Sequence, residues 1–363
     1  MRVTTLLMST LLVTGCRPAV GPGPSDPPRL LPAQPGLPAL PMAVTNNAVV
    51  AVPTAAGTHL LSFLGLGAGK TWRDPLSAGF HLAPGQTTWR PIADVPGPAG
   101  RLAGAAVAVA GVAYVFGGYT VAEDGSERSV ESVHAYDPAS GRYQVRAPMP
   151  IPVDDAVALV YADRYVYLVS GWHDLGNVNL VQLYDTRADT WTQATPFPGT
   201  PVFGHAGGIV ADTMVIADGV RIEVGASGRR SFAISGEAYI GRVDEADPRR
   251  IEWHRLPPHP GRPRYRMAAT GVAGGGGTVV FAGGADNPYN YDGVGYDGVP
   301  AEPSDRIFGY ALADGRWREL ARLPVASMDH RGLLEVDGHL VLVGGMRAGQ
   351  AVTAEVVSLP WPP

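Results

Sequence analysis

The sequence predicts an all-β chain folded as a six-bladed β-propeller, a closed ring of four-stranded antiparallel sheets. Three observations predict it. Five times an aromatic residue is followed seven positions later by a proline: Trp89 and Pro96, Tyr143 and Pro150, Trp191 and Pro198, Trp253 and Pro260, Trp317 and Pro324. These pairs recur every roughly 50 residues, the interval of one small unit copied along a chain. The 363 residues include 47 glycines and 34 prolines but only 17% charged residues, a composition of many turns and few helices. Around each pair the same order of parts returns: an apolar run, a turn, a second apolar run often ending in Gly-Gly, a long polar loop, and a strand leading to the aromatic. A ring of such sheets divides burial among its blades and leaves few exposed edges.

The chain begins with one Arg, an apolar stretch from Leu6 to Val13, and Val13-Thr14-Gly15-Cys16, which together resemble the signal peptide and lipobox of a bacterial lipoprotein. That resemblance implies a signal peptide at 1–15, lipid on Cys16, a Pro-rich tether at 16–29 and a propeller at 30–363. Several acyl chains suffice for stable anchoring. The expected location is the bacterial envelope, as an outer-membrane lipoprotein facing periplasm or exterior. Contact with the membrane is expected only through that lipid. Cys16 is the only cysteine, so no disulfide can form within the mature chain. Proline recurs densely from Pro18 to Pro41, which suits an extended tether.

Inner strands, a, are expected at 44–52, 102–110, 156–162, 205–211, 267–273 and 331–336. Small residues such as Ala103-Gly104-Ala105-Ala106 suit strands crowded around an axis. Second strands, b, stand out as Val112 to Gly118, Tyr165 to Gly171, Met214 to Gly219, Val279 to Gly284 and Leu340 to Gly345. After the last Gly-Gly only Ala354 to Leu359 remains, a third strand without a fourth. Residues 30–40 at the other terminus are expected to supply it and close the ring. Leu37-Pro38-Ala39-Leu40-Pro41 matches the segments that end the other repeats, although Gln34 stands where they carry an aromatic.

Gly-Gly, the pairs Tyr136-Asp137 and Tyr184-Asp185, the aromatic seven residues after each Tyr, and the proline resemble the kelch repeat. The resemblance implies the propeller and leaves function open, because such propellers include enzymes, sugar binders and interaction platforms.

Long loops crowd the end of the ring that carries the b-to-c connections: Tyr119 to Ser132, Gly171 to Asn179, Val220 to Ser235 and Gly284 to Arg306. Binding groups usually lie on such loops. The opposite end carries short turns such as Asp137-Pro138-Ala139-Ser140-Gly141. On the loop face, next to the axis, the starts of the inner strands read Asn46 and Asn47, Arg101, Asp154 and Asp155, His205, Arg264 and Arg266, then Asp329, His330 and Arg331. Such a ring is expected to hold a small anion and to offer acid and base groups, or else to tie neighbouring loops together. The loop from Ala285 to Gly298 adds Tyr289, Tyr291 and Tyr296, whose flat faces suit a sugar ring or a packed lid. Lys70 is the only lysine.

Net charge is −5 and no basic run appears, which excludes the footprint of a nucleic-acid binder. No zinc-spaced His pair, Gly-x-Ser-x-Gly elbow or phosphate loop is present. A Tyr–Cys copper oxidase is excluded by the lack of any cysteine after Cys16. Neither a metal nor an organic cofactor is expected, and the chain is expected to be a monomer.

Phe281-Ala282-Gly283-Gly284-Ala285 before the Tyr-rich loop, and Gly344 to Thr353 before the last strand, are similar to bacterial N-acetylneuraminate mutarotases. Interconverting sugar anomers needs one group to take the anomeric proton, another to protonate the ring oxygen, and here a cation for the sugar carboxylate. The resemblance implies Asp155, His205 and His330 as proton carriers, with Arg101, Arg266, Asp329 and Arg331 among the ligand-binding groups. Gly219 is followed by Val220 where that family has Glu. Sugar binding without catalysis, and a scaffold binding protein or glycan on the loop face, are the other expectations.

Overall fold

The computed structural model describes residues 27–33 and 36–361. Cys16, the signal peptide and most of the tether lie outside them. The chain forms a six-bladed β-propeller whose strands follow the order a, b, c, d from axis to rim. Blades 1 to 5 are four-stranded, with inner strands Ala48–Thr54, Ala105–Val109, Val157–Tyr161, Ala206–Val210 and Ala268–Val272. Blade 6 has three regular strands, Leu334–Val336, His339–Val343 and Val356–Pro360.

Successive side chains point to opposite faces, so the continuous apolar runs of the b strands make each sheet apolar on both faces. In strand b of blade 2, Ala113 and Val115 pack toward blade 1 with Val50, Leu61 and Phe63, while Tyr114 and Phe116 pack toward blade 3 with Val166, Leu168 and Tyr184. Each fully buried Val, Leu or Phe contributes about 1.5–3 kcal/mol relative to exposure, so the wedges between blades hold the ring together.

The amino-terminal segment closes the ring beside blade 6. The N–H of Ala33 donates to the carbonyl of Ser358 across 2.7 Å, and that of Leu40 to Ala354 across 2.8 Å. The expected fourth strand is therefore a hydrogen-bonded edge segment and not a regular ladder. Proline explains this, since Pro32, Pro38 and Pro41 have no N–H to contribute. Further upstream, the N–H of Leu30 donates to the Arg322 carbonyl and the N–H of Arg322 to the Pro28 carbonyl, which ties the segment to the outer strand of blade 5.

Candidate functional site

The site begins with one backbone position repeated in every blade. Asn46, Ala103, Asp155, Gly204, Arg266 and Asp329 all have positive φ, between 49° and 66°. The N–H groups of Ala103, Asp155, Gly204 and Arg266 each donate to the carbonyl of the counterpart one blade earlier, at 3.3, 3.0, 2.9 and 2.8 Å. Asn46 donates to Asp329 at 3.0 Å, and His330 to Arg266 at 3.1 Å, which completes a collar around the axis. Only one collar position is glycine. At Gly204 a Cβ would meet the Tyr265 ring at 2.0 Å, so no larger residue fits there without a shift. The other five hold a conformation that costs L-residues of order 1–3 kcal/mol, and the surrounding bonds impose it.

Buried charges brace the collar. Arg266, 1% exposed, donates to both carboxylate oxygens of Asp155 at 3.1 and 2.6 Å and to Asp329 at 2.9 Å. Arg331 donates to Asp155 at 2.8 Å and to the Ala156 carbonyl at 2.7 Å. Asp329 also accepts from Thr45 at 2.6 Å and from the Tyr289 hydroxyl at 3.0 Å. Arg266 lies over the rings of Tyr265 and Tyr289, 4.7 and 5.3 Å from their centroids. Burial opposes ionisation of Asp155, but Arg266 and Arg331 outweigh it and hold its pKa below the usual carboxylate value. Two guanidinium groups and two carboxylates thus neutralise one another. The expected anion clamp is occupied from within.

The collar separates two spaces. Below it runs a shaft of about 320 Å³, lined by inner strands of all six blades together with His205, His330 and Arg331. Burial, reinforced by Arg331, lowers the His205 pKa to about 3, and its Nε2–H donates to the Val169 carbonyl at 2.9 Å. Burial, followed by Arg347, lowers His330 to about 3 as well, and its Nε2 is 2.7 Å from the Ser327 hydroxyl. Both rings are neutral at physiological pH.

Above the collar lies a cavity of about 130 Å³, lined by Tyr119, Glu127, Asp154, Asp155, Trp172, Phe203, Phe232, Arg266, Asn290 and Tyr296. Its lining comes from blades 2 to 5, and Phe203 joins it to a buried apolar cluster of Tyr265, Tyr289, Met328 and Met346 with Val220 and Ala285. The residue before each collar position pairs with the start of the b-to-c loop: Leu102 with Tyr119, Asp154 with Trp172, Phe203 with Val220. This pairing brings Asp154, Tyr119, Trp172 and Phe203 to one cavity. Phe232 stacks on Tyr296 with centroids 4.1 Å apart, and Trp172 meets Phe203 edge-on at 5.4 Å.

The polar side of the cavity is a chain of contacts. Tyr119 donates to the Asn290 side-chain oxygen at 3.3 Å, and the Asn290 amide donates to Glu127 at 2.5 Å. Ser129 donates to Asp154 Oδ2 at 2.6 Å, and among the described residues no bond reaches Asp154 Oδ1. Burial, helped by neighbouring Asp155, pushes the Asp154 pKa well above the carboxylate range. Burial also raises Glu127. The loop bearing Asn290 and Tyr296 is pinned across the face by Lys70, whose ammonium donates to the carbonyls of Asp292 at 3.1 Å and Gln350 at 2.8 Å.

Of the residues expected at one mouth, Asp155, Arg266, Asp329, Arg331 and Tyr289 meet at the collar, and Tyr296 reaches the cavity. His205 and His330 line the shaft instead. Arg101 does not join them: its guanidinium turns to the Pro96 carbonyl at 3.4 and 3.3 Å, and burial lowers its pKa to about 10. Tyr291 packs with Leu66, Leu102 and Tyr119. Glu127, Trp172, Phe203, Phe232 and Asn290 were not singled out in the sequence. Tyr119 and Trp172 each follow the turn that ends strand b, and comparing that one position across repeats would have found them.

The fold and this face define a six-bladed β-propeller carrying a kelch repeat. The family described as Kelch motif matches residues 100–150, which is blade 2. Kelch-like protein 35 of Mus musculus is 31% identical over 111 residues, and Kelch-like protein 15 of Danio rerio 27% over 109. These matches cover 31% and 30% of this chain, and the chain covers 18% of the length of each relative. The solved structure of YjhT superimposes with a TM-score of 0.69 over 89% of this chain and 97% of that one. At 17% identity, that likeness is one of fold.

Proposed function

We propose that this chain is a sugar-binding propeller of the cell envelope, anchored through lipid on Cys16, with its ligand in the loop-face cavity. One observation carries the proposal: the aromatic side chains of Trp172, Phe203, Phe232 and Tyr296 line the same small space as Glu127, Asp154 and Asn290. A sugar ring needs both, an apolar surface for its C–H face and acceptors for its hydroxyls. At about 130 Å³ the cavity is far below the ~300–1,000 Å³ of drug-sized sites, so the ligand is one ring and not a chain. Arg266 is already paired, which favours neutral over acidic sugars.

Turnover by anomer exchange would need Asp154 to protonate the ring oxygen while Glu127 takes the anomeric proton, with the C1–O5 bond opening and reclosing. A monosaccharide panel in calorimetry, followed by NMR exchange on any ligand, tests both. Trp172→Ala is expected to weaken binding about tenfold, ~1.4 kcal/mol. No binding by any monosaccharide would sink the proposal. Anchoring is tested separately: Cys16→Ser should release the protein from the membrane fraction.

A second reading has its own support. Leu175, Val224 and Val299 stand 78%, 66% and 56% exposed on loops of blades 3, 4 and 5, as a partner-binding rim would. Substituting all three with Ser should leave sugar affinity unchanged and abolish capture of any protein partner.

A further inference from the structure

We infer that the ligand of the loop-face cavity carries one protonated amine, as in a hexosamine with a free amino group, and that Glu127 accepts it. This rests on the sugar-binding proposal and names its substrate class.

The argument is one of charge matching. At the collar, Arg266 and Arg331 are balanced by Asp155 and Asp329 through the bonds already described. Asp154 is 3% exposed and buried beside Asp155, and its side chain is bonded only by the Ser129 hydroxyl among the described residues, which favours its neutral form; burial raises Glu127 too, but there the Asn290 amide and Arg266 oppose it. Glu127 then remains as the one cavity carboxylate without a cation. Its bond among the described residues comes from the neutral Asn290 amide. Asp154 Oδ1, without a protein donor among the described residues, is a second polar group open to the same space.

The walls agree with that charge. Trp172, Phe203, Phe232 and Tyr296 line the space, and an aromatic face turned to a desolvated cation attracts it. A carboxylate ligand would meet Glu127 and Asp154 with no free guanidinium to offset them. An ammonium on Glu127 also occupies the base that anomer exchange needs, so the ligand is held and not turned over.

Calorimetry on the full chain with glucosamine, glucose, N-acetylglucosamine and N-acetylneuraminate tests this. Glucosamine is expected to bind at least tenfold more tightly than the other three, and Glu127→Gln to remove that preference while Trp172→Ala weakens glucosamine and glucose alike. Proton release on glucosamine binding, read from the dependence of enthalpy on buffer, is expected because an ammonium favours ionised carboxyls. Tyr119, Asp154, Asp155, Arg266 and Tyr296 line the cavity with Glu127, and of these Asp154 shares that response. Equal affinity for glucose and glucosamine overturns the amine inference and leaves sugar binding standing. Tightest binding of N-acetylneuraminate overturns it too, and binding of none overturns both.

Discussion

The indole N–H of Trp89 donates to the carbonyl of Pro38 across 2.8 Å. Trp191 bonds the Ala147 carbonyl in the same way at 2.9 Å, and Trp317 the Pro257 carbonyl at 2.8 Å. Each acceptor stands three residues before the proline that closes the preceding repeat, Pro41, Pro150 or Pro260. Pro38 therefore occupies, relative to blade 1, the place of an outer strand from blade 6. The segment before blade 1 and the last blade meet there.

Replacing Trp89 by Phe keeps the ring in its apolar wedge and removes the donor. The expected loss is about 0.5–1.5 kcal/mol, the net worth of one hydrogen bond to a part-buried carbonyl. Trp253→Phe is the control, because its bond to Thr195 is 3.4 Å and correspondingly weak. Urea unfolding should rank Trp89→Phe as the more damaging change. Equal effects would remove the claim that this bond locks the ring.

Arg266→Met should destabilise the fold by about 3–5 kcal/mol, because Asp329 loses the one guanidinium it pairs with among the described residues while remaining buried. Adding Asp329→Asn to that variant should restore part of the loss, measured as a coupling energy in a double-mutant cycle. Simple additivity would contradict the collar network. Asp155 gives a pH signature: its folded pKa is lowered, so its contribution is present above the unfolded value and lost as pH falls through the folded one. Asp155→Asn should remove that acid-side slope.

How much of this was legible in the sequence depends on what each residue answers to. The aromatic–proline pairs answer to local strand pairing and blade packing, so Trp89, Trp191 and Trp317 marked the blades without knowledge of the third dimension. Asp155 and Arg266 were also visible, because they recur beside the inner strands. Their mutual neutralisation was not, since a bond spanning 111 positions depends on how the ring curves. Arg101 occupies a matching place in its repeat yet turns outward to Pro96, a rotamer choice that spacing does not encode. Glu127 and Phe232 lie on b-to-c connections without a shared period, in small hairpins where they pair with Val121 and Ile222, and the folding of those hairpins over the ring brings them to the cavity.

His259 offers a test on the alkaline side. Its Nδ1–H donates to the Pro260 carbonyl at 2.9 Å and its Nε2–H to Asp218 at 3.0 and 2.9 Å, while the ring stacks on Phe308 at 4.3 Å. With both nitrogens donating, the ring is an imidazolium. Burial opposes that charge, but the Asp218 hydrogen bond and charge and the Pro260 carbonyl outweigh it, and the pKa is raised. A raised folded pKa makes this contribution fully present below the unfolded value of 6.5 and lost as pH climbs through the folded value. Wild-type stability should therefore decline from neutral toward alkaline pH, with urea midpoints at several pH values as the measure. Asp218→Asn keeps an acceptor but removes the charge, and should flatten the decline. His259→Gln should abolish it at a lower overall stability, because glutamine neither titrates nor stacks on Phe308. If both variants keep the wild-type slope, the alkaline loss arises elsewhere and the buried pair is not its source.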